Sequence, residues 1–160
     1  MGLDMYLYKM KNYKDASIED AMLVFNYKYY NEPICKPLKK DVVEFYMQHP
    51  CERVCEWRKA NAIHKYFEDT LTDYDGIYNC EYYQVNEYDL INLIDLCQQV
   101  LKEPEKASEL LPTTSGFFFG STDYDSNYLS DIEETIDKIN VVLDTTDFDN
   151  ESLLYYAWWW

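Results

Sequence analysis

The sequence predicts an α+β fold: a single domain over residues 1–160, in which a mainly antiparallel sheet packs against about three main helices. Three observations point there. Leu3, Met5 and Leu7 alternate with Asp4, Tyr6 and Tyr8, the period-two pattern of a half-buried strand. Two long stretches in the second half carry apolar residues at helical spacing. Strand-like and helix-like segments also interleave irregularly, which argues against a wound parallel sheet. At 160 residues with 48% hydrophobic content, the chain can bury one sizeable core despite being 28% charged.

The elements follow in order. After the N-terminal strand, Met22 to Tyr30 reads as a second β-prone run. Residues 31–40 hold Pro33, Pro37 and three lysines and read as a loop, and a short helix covers Asp41 to Gln48. Pro50 suits the first turn of a helix running to about Leu71, closed by an Asp73-Tyr-Asp-Gly76 turn. Tyr82 to Val85 is a short strand. Asn86 caps the next helix with Asp89 three residues on, Leu90, Leu93, Ile94, Cys97 and Leu101 form its apolar stripe, and Pro104 stops it near Glu103. Gly116-Phe-Phe-Phe-Gly120 reads as a strand buried on both faces. A last helix runs from about Ser126 to Leu143, and a C-terminal strand covers Leu153 to Trp159. The N-terminal, Phe-rich and C-terminal strands are expected in one sheet, with the 50–71, 87–103 and 126–143 helices upon it.

Charge is divided unevenly. Residues 1–66 carry eleven Lys/Arg against nine Asp/Glu, whereas residues 67–160 carry three Lys, no Arg and twenty-one Asp/Glu, giving the formal net charge of −16. Direct nucleic-acid binding is disfavoured, because this charge opposes the phosphate backbone. A basic protein is the opposite case, where acidity assists association. Seventeen tyrosines suit either a sheet face or a wet pocket. The five cysteines are odd in number and show no disulfide framework or secretory leader, so they read as reduced thiols in a cytoplasm. No run is long enough to span a bilayer, and Tyr6 occupies the position where myristoylation of Gly2 needs Ser or Thr.

Both arginines, Arg53 and Arg58, lie close to His64, one of two histidines, in the least acidic part of the chain. On a 50–71 helix, Glu56, Asn61 and His64 would be polar groups on a mostly apolar face with Trp57, while Arg58 and Lys59 would diverge on its flanks. Buried polar groups need partners, either backbone or a ligand. His64 with Glu56 could serve as a general base if the protein were an enzyme. However, no nucleophile elbow, Walker loop, HExxH or CxxC is present. His49, Cys51 and Cys55 lack paired-knuckle zinc spacing. Asp123, Asp125, Asn127, Asp131 and Glu134 follow calcium-loop spacing, but Tyr128 replaces the required Gly, and the segment also reads as a helix start. No metal and no cofactor are therefore expected.

The opening Met-Gly-Leu-Asp-Met-Tyr-Leu-Tyr, the central Trp57-Arg58-Lys59-Ala-Asn61-Ala-Ile-His64, Asn79-Cys80, Leu111-Pro112, Gly116-Phe-Phe-Phe-Gly120 and the aromatic end at Tyr156 and Trp158-Trp159 form a set. Together they resemble a widespread family of small uncharacterised proteins encoded by phages, prophages and bacteria. The resemblance spans nearly the whole chain and departs over residues 12–48 and at Trp160. It brings no activity to carry over. It implies a phage-like origin, and gathers Trp57, Arg58, Lys59, Asn61, His64 and the Phe segment around Phe118 as one ligand-binding site.

The expected function is that of a phage-type accessory protein, in an anti-defence role in the host cytoplasm. It would bind an anionic small molecule such as a nucleotide signal, with Arg58 and Lys59 meeting phosphate, Asn61 and His64 hydrogen-bonding, and Trp57 and Phe118 stacking on a base. One alternative is an acidic nucleic-acid mimic docking on a basic host protein such as a nuclease. The other is a hydrolase using His64. The oligomeric state is left open by the sequence.

Overall fold

The computed structural model describes residues 2–73 and 76–160. It is a single-sheet α+β fold with four strands in the order β2-β1-β4-β3, every neighbouring pair antiparallel. The strands are β1 (Leu3–Lys11), β2 (Glu52–Arg58), β3 (Tyr82–Val85) and β4 (Glu151–Trp159). The α-helices are α1 (Ile18–Tyr30), α2 (Lys40–Gln48), α3 (Asn61–Leu71), α4 (Glu87–Lys102), α5 (Ala107–Leu110) and α6 (Ser126–Thr145). Six helices among the described residues thus replace the expectation of about three.

Alternation along β1 divides the molecule into layers. Leu3, Met5 and Leu7 join Trp57, Tyr155 and Ala157 in a core covered by α3, α4 and α6. Tyr8 and Met10, with Leu154, face the other way into a second core under α1 and α2. β1 is central, so its backbone is hydrogen-bonded on both edges and its side chains are enclosed on both faces.

Three expectations are corrected. The β-prone run Met22 to Tyr30 lies in α1. Ser17 and Asp20 form a reciprocal capping box, with Ser17 Oγ accepting from Asp20 N at 3.1 Å and the Asp20 carboxylate accepting from Ser17 N at 2.9 Å. Ala21, Met22, Val24 and Phe25 then bury one helical face. The 50–71 helix is a strand followed by a shorter helix: β2 pairs with β1, and the chain turns at Lys59 before α3 begins. Strand pairing with the buried β1 outweighs the local helical pattern here. The Phe segment is a turn outside the sheet, closed by Phe119 N donating to Gly116 O at 3.2 Å. Phe119 is buried while Phe117 is 81% exposed. A Cβ on Gly116 would lie 2.6 Å from the Phe119 ring, so only glycine lets the ring fold back there. The β1, β3, β4, α2, α4 and α6 expectations agree with the structure to within a few residues at each end. The expected Asp73–Gly76 turn depends on residues 74 and 75, which lie outside the described residues.

The β1–β2 ladder contains a bulge. Leu7 faces Cys55 and Tyr8 faces Arg53, leaving Val54 without an opposite residue. At the other end of β2, the buried Trp57 indole N–H donates to Thr135 Oγ1 of α6 at 2.9 Å, and Lys138 Nζ donates to Glu56 O at 3.0 Å. These bonds fasten α6 along the β2 edge of the sheet.

Replacing Thr135 with Val keeps the shape but leaves the Trp57 N–H unpaired in the core. Thr135→Val is expected to lower unfolding stability by about 1–3 kcal/mol. Chemical denaturation checks this, and a loss below a few tenths would mean the bond contributes nothing.

Candidate functional site

The site is built where β2 ends. Lys59 N donates to Leu3 O at 2.8 Å, and Lys59 then adopts a left-handed backbone with φ of 59°. The chain turns into α3, whose N-cap, Ala60, has no side-chain acceptor, and whose first turn carries no acid. The Asn61 side chain does not cap the helix either. Its Nδ2 donates to Ser121 O at 2.7 Å and Phe119 O at 3.3 Å, which holds the Phe turn against α3. The N–H groups of Asn61, Ile63 and His64 are taken by Lys59 O and Ala60 O, so the Ala62 N–H is the one first-turn donor without a partner among the described residues.

Arg58 and Lys59 stand beside this helix end, at a cleft of about 260 Å³. Ser121, Asp123, Asp125 and Asp131 form the opposing wall. A second hollow of about 380 Å³ shares Arg58 and Asp131 and extends along α6. Gly120 has φ of 94°, and a Cβ there would sit 3.3 Å from Lys59 Cβ, so glycine is needed for the loop to pass this close.

The charges are unequally committed. Arg58 Nη1 lies 3.4 Å from the buried Asp4 carboxylate but is itself largely exposed. Lys59 makes no ion pair among the described residues. Asp125 accepts from the N–H groups of Asn127 and Tyr128 at 2.9 and 3.0 Å, which caps α6, and Asp123 accepts from Ser121 Oγ at 3.0 Å. The calcium-like spacing therefore serves as a helix start. Asp131 has no cation partner at ion-pair distance among the described residues. Burial, with repulsion from Glu134, pushes its carboxyl up to about 6. The cleft thus offers the Ala62 N–H and two cations for an anion, and facing them three aspartates, of which Asp131 is uncommitted and can accept from a hydroxyl or amine.

The remaining predicted site residues are placed elsewhere. Trp57 is 4% exposed, and its indole is taken up by Thr135. His64 is 2% exposed, with Nδ1 2.8 Å from the Tyr155 hydroxyl and the rings of Phe119 and Trp159 packed edge-on around it. Burial pulls its pKa down to about 4, and complete burial holds the Tyr155 phenol well above its usual value. Neutral His64 therefore accepts from the Tyr155 O–H. Glu56 lies in β2 on the other face of the sheet, 3.5 Å from Arg53, so it is not brought to His64. Phe118 is 37% exposed at the Phe turn. Arg58, Lys59 and Asn61 come together at the cleft, while Trp57 and His64 belong to the core beneath it. Sequence reasoning missed Asp131 as a wall of the site and the open end of α3. The second would have been legible as Ala60 standing where a capping residue is usual.

All five cysteines are unpaired, and burial pushes the Cys51 thiol up to about 11 and those of Cys55 and Cys97 up to about 12. Among the described residues, no cluster of three or more His, Cys, Asp or Glu could hold a metal, and no helix is long and apolar enough to cross a membrane. No protein family, curated protein or solved structure matches the chain.

Two pH effects follow. Between pH 6.5 and about 4 the unfolded chain protonates His64 while the folded chain does not, so the folded state loses stability as pH falls through this window. His64→Gln, whose amide can still accept from Tyr155, should remove a contribution of at most about 3 kcal/mol, read as a flatter pH profile in urea unfolding. Asp131 behaves oppositely: its raised pKa penalises the folded state above pH 6. Asp131→Asn should stabilise the protein at pH 7.5 by about 1 kcal/mol, discounting for partial exposure, and the gain should vanish below about pH 4.

Proposed function

We propose that the protein is a phage-type accessory protein that binds and sequesters an anionic small molecule, a nucleotide signal of host defence being the class that best suits the cleft, in the host cytoplasm. One observation carries this reading: the uncapped N-terminus of α3 opens beside Arg58 and Lys59, the latter without a counter-ion among the described residues. A phosphate there would gain the Ala62 N–H, the positive end of the helix dipole and two cations. Asp131 opposite would accept from a ribose hydroxyl. This removes two earlier roles: Trp57 is inside the core and cannot stack on a base, and His64 holds Tyr155.

The rival reading, an acidic protein that docks on a basic host protein such as a nuclease, is favoured by α6, whose Glu133, Glu134, Asp137 and Asp144 are all exposed. The hydrolase reading draws no support from His64, which is enclosed by aromatic rings and separated from Glu56 by the sheet.

Mass spectrometry of small molecules released by heating, after incubation with infected-cell lysate, identifies a sequestered ligand. Arg58→Ala is expected to weaken its binding by about 1.5–3 kcal/mol, the range for hydrogen bonds to charged groups. Neutralising Glu133, Glu134 and Asp137 should leave binding unchanged or slightly tighter. A docking protein would show the reverse, with the acid substitutions slowing association and Arg58→Ala silent. Melting curves accompany each variant, because Arg58 also pairs with Asp4. A stable Arg58→Ala protein with full ligand binding removes the cleft from the account.

A further inference from the structure

The α1–α2 layer covers only part of its face of the sheet. Beyond it lies a groove of about 450 Å³, distinct from the α3 cleft and within the size range of small-molecule sites. Tyr6, Tyr8, Tyr82 and Tyr156 floor it, with Tyr30 and Trp158 at its sides. The rings form a continuous patch: Tyr82 and Tyr156 are 4.7 Å apart, and Tyr8 meets both edge-on at about 6 Å.

We propose that this groove is a second ligand site, for a planar heteroaromatic molecule that carries an anionic group. This goes beyond the anion cleft and does not depend on it.

The first support is a pair of uncommitted hydroxyls. Tyr8 is 7% exposed and lines the groove, yet its hydroxyl has no hydrogen-bond partner among the described residues. The same holds for the half-buried Tyr82. Burial pushes the Tyr8 phenol up to about 12 and that of Tyr82 higher still, so both stay protonated and can donate. Neither hydroxyl is sealed from solvent, since among the described residues the buried side-chain polar atom without a partner is that of Tyr46, and both can exchange water for the ring nitrogens or carbonyls of a heterocycle. The second support is surface type. Adjacent tyrosine and tryptophan faces offer a stacking platform for a flat ring, and the Asn26 amide at the wall can pair with its edge.

The third support is Arg53, which selects an anion over a cation. Its guanidinium lies 5.1 Å from the Tyr6 ring centre, already in the place a cationic ligand would take, so a second cation would meet like charge. Its contact with Glu56 is 3.5 Å between half-exposed side chains, loose enough to be shared with a ligand anion. Glu32 also lines the groove and is exposed, as Arg53 is, so solvent screens both, and it is the placement of Arg53 over the Tyr6 ring that favours an anion.

Isothermal titration with AMP, GMP, CMP, UMP and flavin mononucleotide, beside adenosine and tetramethylammonium, tests the proposal. At least one nucleotide should bind with a submillimolar Kd. Tyr8→Phe should weaken that binding by roughly five- to tenfold, the effect of one lost hydrogen bond, while leaving the melting temperature unchanged or higher. Arg53→Gln should weaken the nucleotide without affecting its nucleoside. The proposal is overturned if none of the nucleotides binds, or if only tetramethylammonium does. It is equally overturned if nucleotide binding survives Tyr8→Phe and Arg53→Gln but is lost in Arg58→Ala, which would assign the binding to the α3 cleft and leave that reading standing alone.

Discussion

β1 must satisfy two cores at once. Its backbone is used on both edges by β2 and β4, and its side chains leave on both faces, with Leu3, Met5 and Leu7 going one way and Tyr8 and Met10 the other. A one-residue slip of this strand would exchange the two sets and place a tyrosine where a leucine is fully enclosed. The positions of the other elements follow. α3, α4 and α6 cover the aliphatic face. α1 and α2 cover only the Tyr8–Met10 end of the other, leaving Tyr6, Tyr156 and Trp158 half-buried beside an open groove.

Polar groups inside the main core act as fasteners between segments distant in sequence. Asn61 binds the carbonyls of Phe119 and Ser121, His64 accepts from Tyr155, and Trp57 donates to Thr135. Asn79 does the same at the sheet end, exchanging two bonds with Trp159 at 3.0 and 3.1 Å. Tyr128 donates to Leu111 O at 2.8 Å. Apart from the exposed Asn79, each is a buried or part-buried group whose desolvation is offset only if its partner is in place. Most of the motif residues that look chemical in the sequence are thus structural, and within Trp57 to His64 it is Arg58 and Lys59 whose charged ends remain at the surface. The polar atoms left uncommitted lie at the end of α3 and not at the His64 ring, which is occupied by Tyr155.

Legibility followed the strength of local signals. The alternation of Leu3 to Tyr8, the Asn86–Asp89 cap and the stripes of α4 and α6 are set within a few residues, and they read correctly. The 50–71 segment failed because Trp57, Ala60, Ile63 and Phe67 happen to share helical spacing, while the deciding interaction, pairing of β2 with β1, joins residues about fifty apart. α1 failed in the opposite sense. Val24, Phe25 and the tyrosines suggest a strand, but the Ser17–Asp20 capping box fixes a helix start. Three consecutive phenylalanines suggest a buried strand, but Phe118 takes a left-handed backbone with φ of 72° and the segment turns. Of the candidate site, the basic pair was legible. The acidic wall was not, because it comes from α6 and the loop before it, more than sixty residues on.

The bulge at Val54 connects the two proposed sites. In an unbroken strand Arg53 and Arg58, five residues apart, would project to opposite faces. The extra residue shifts the register, so Arg53 faces Tyr8, Glu56 faces Tyr6 and Arg58 faces Asp4, all on the sheet face opposite to Leu3, Met5 and Leu7. Both arginines of a strongly acidic protein therefore share one sheet face, each beside an acid that holds it without burying it. Arg53 is directed to the tyrosine groove, and Arg58 to the corner where α3 begins. Val54, moved toward the main core, packs there instead of occupying that face. At a net charge of −16 an anion is repelled over most of the surface, so anion binding depends on local field from a few fixed cations and an exposed helix end. One inserted residue in an edge strand supplies that condition at both ends of β2, and no pattern in the local sequence announces it.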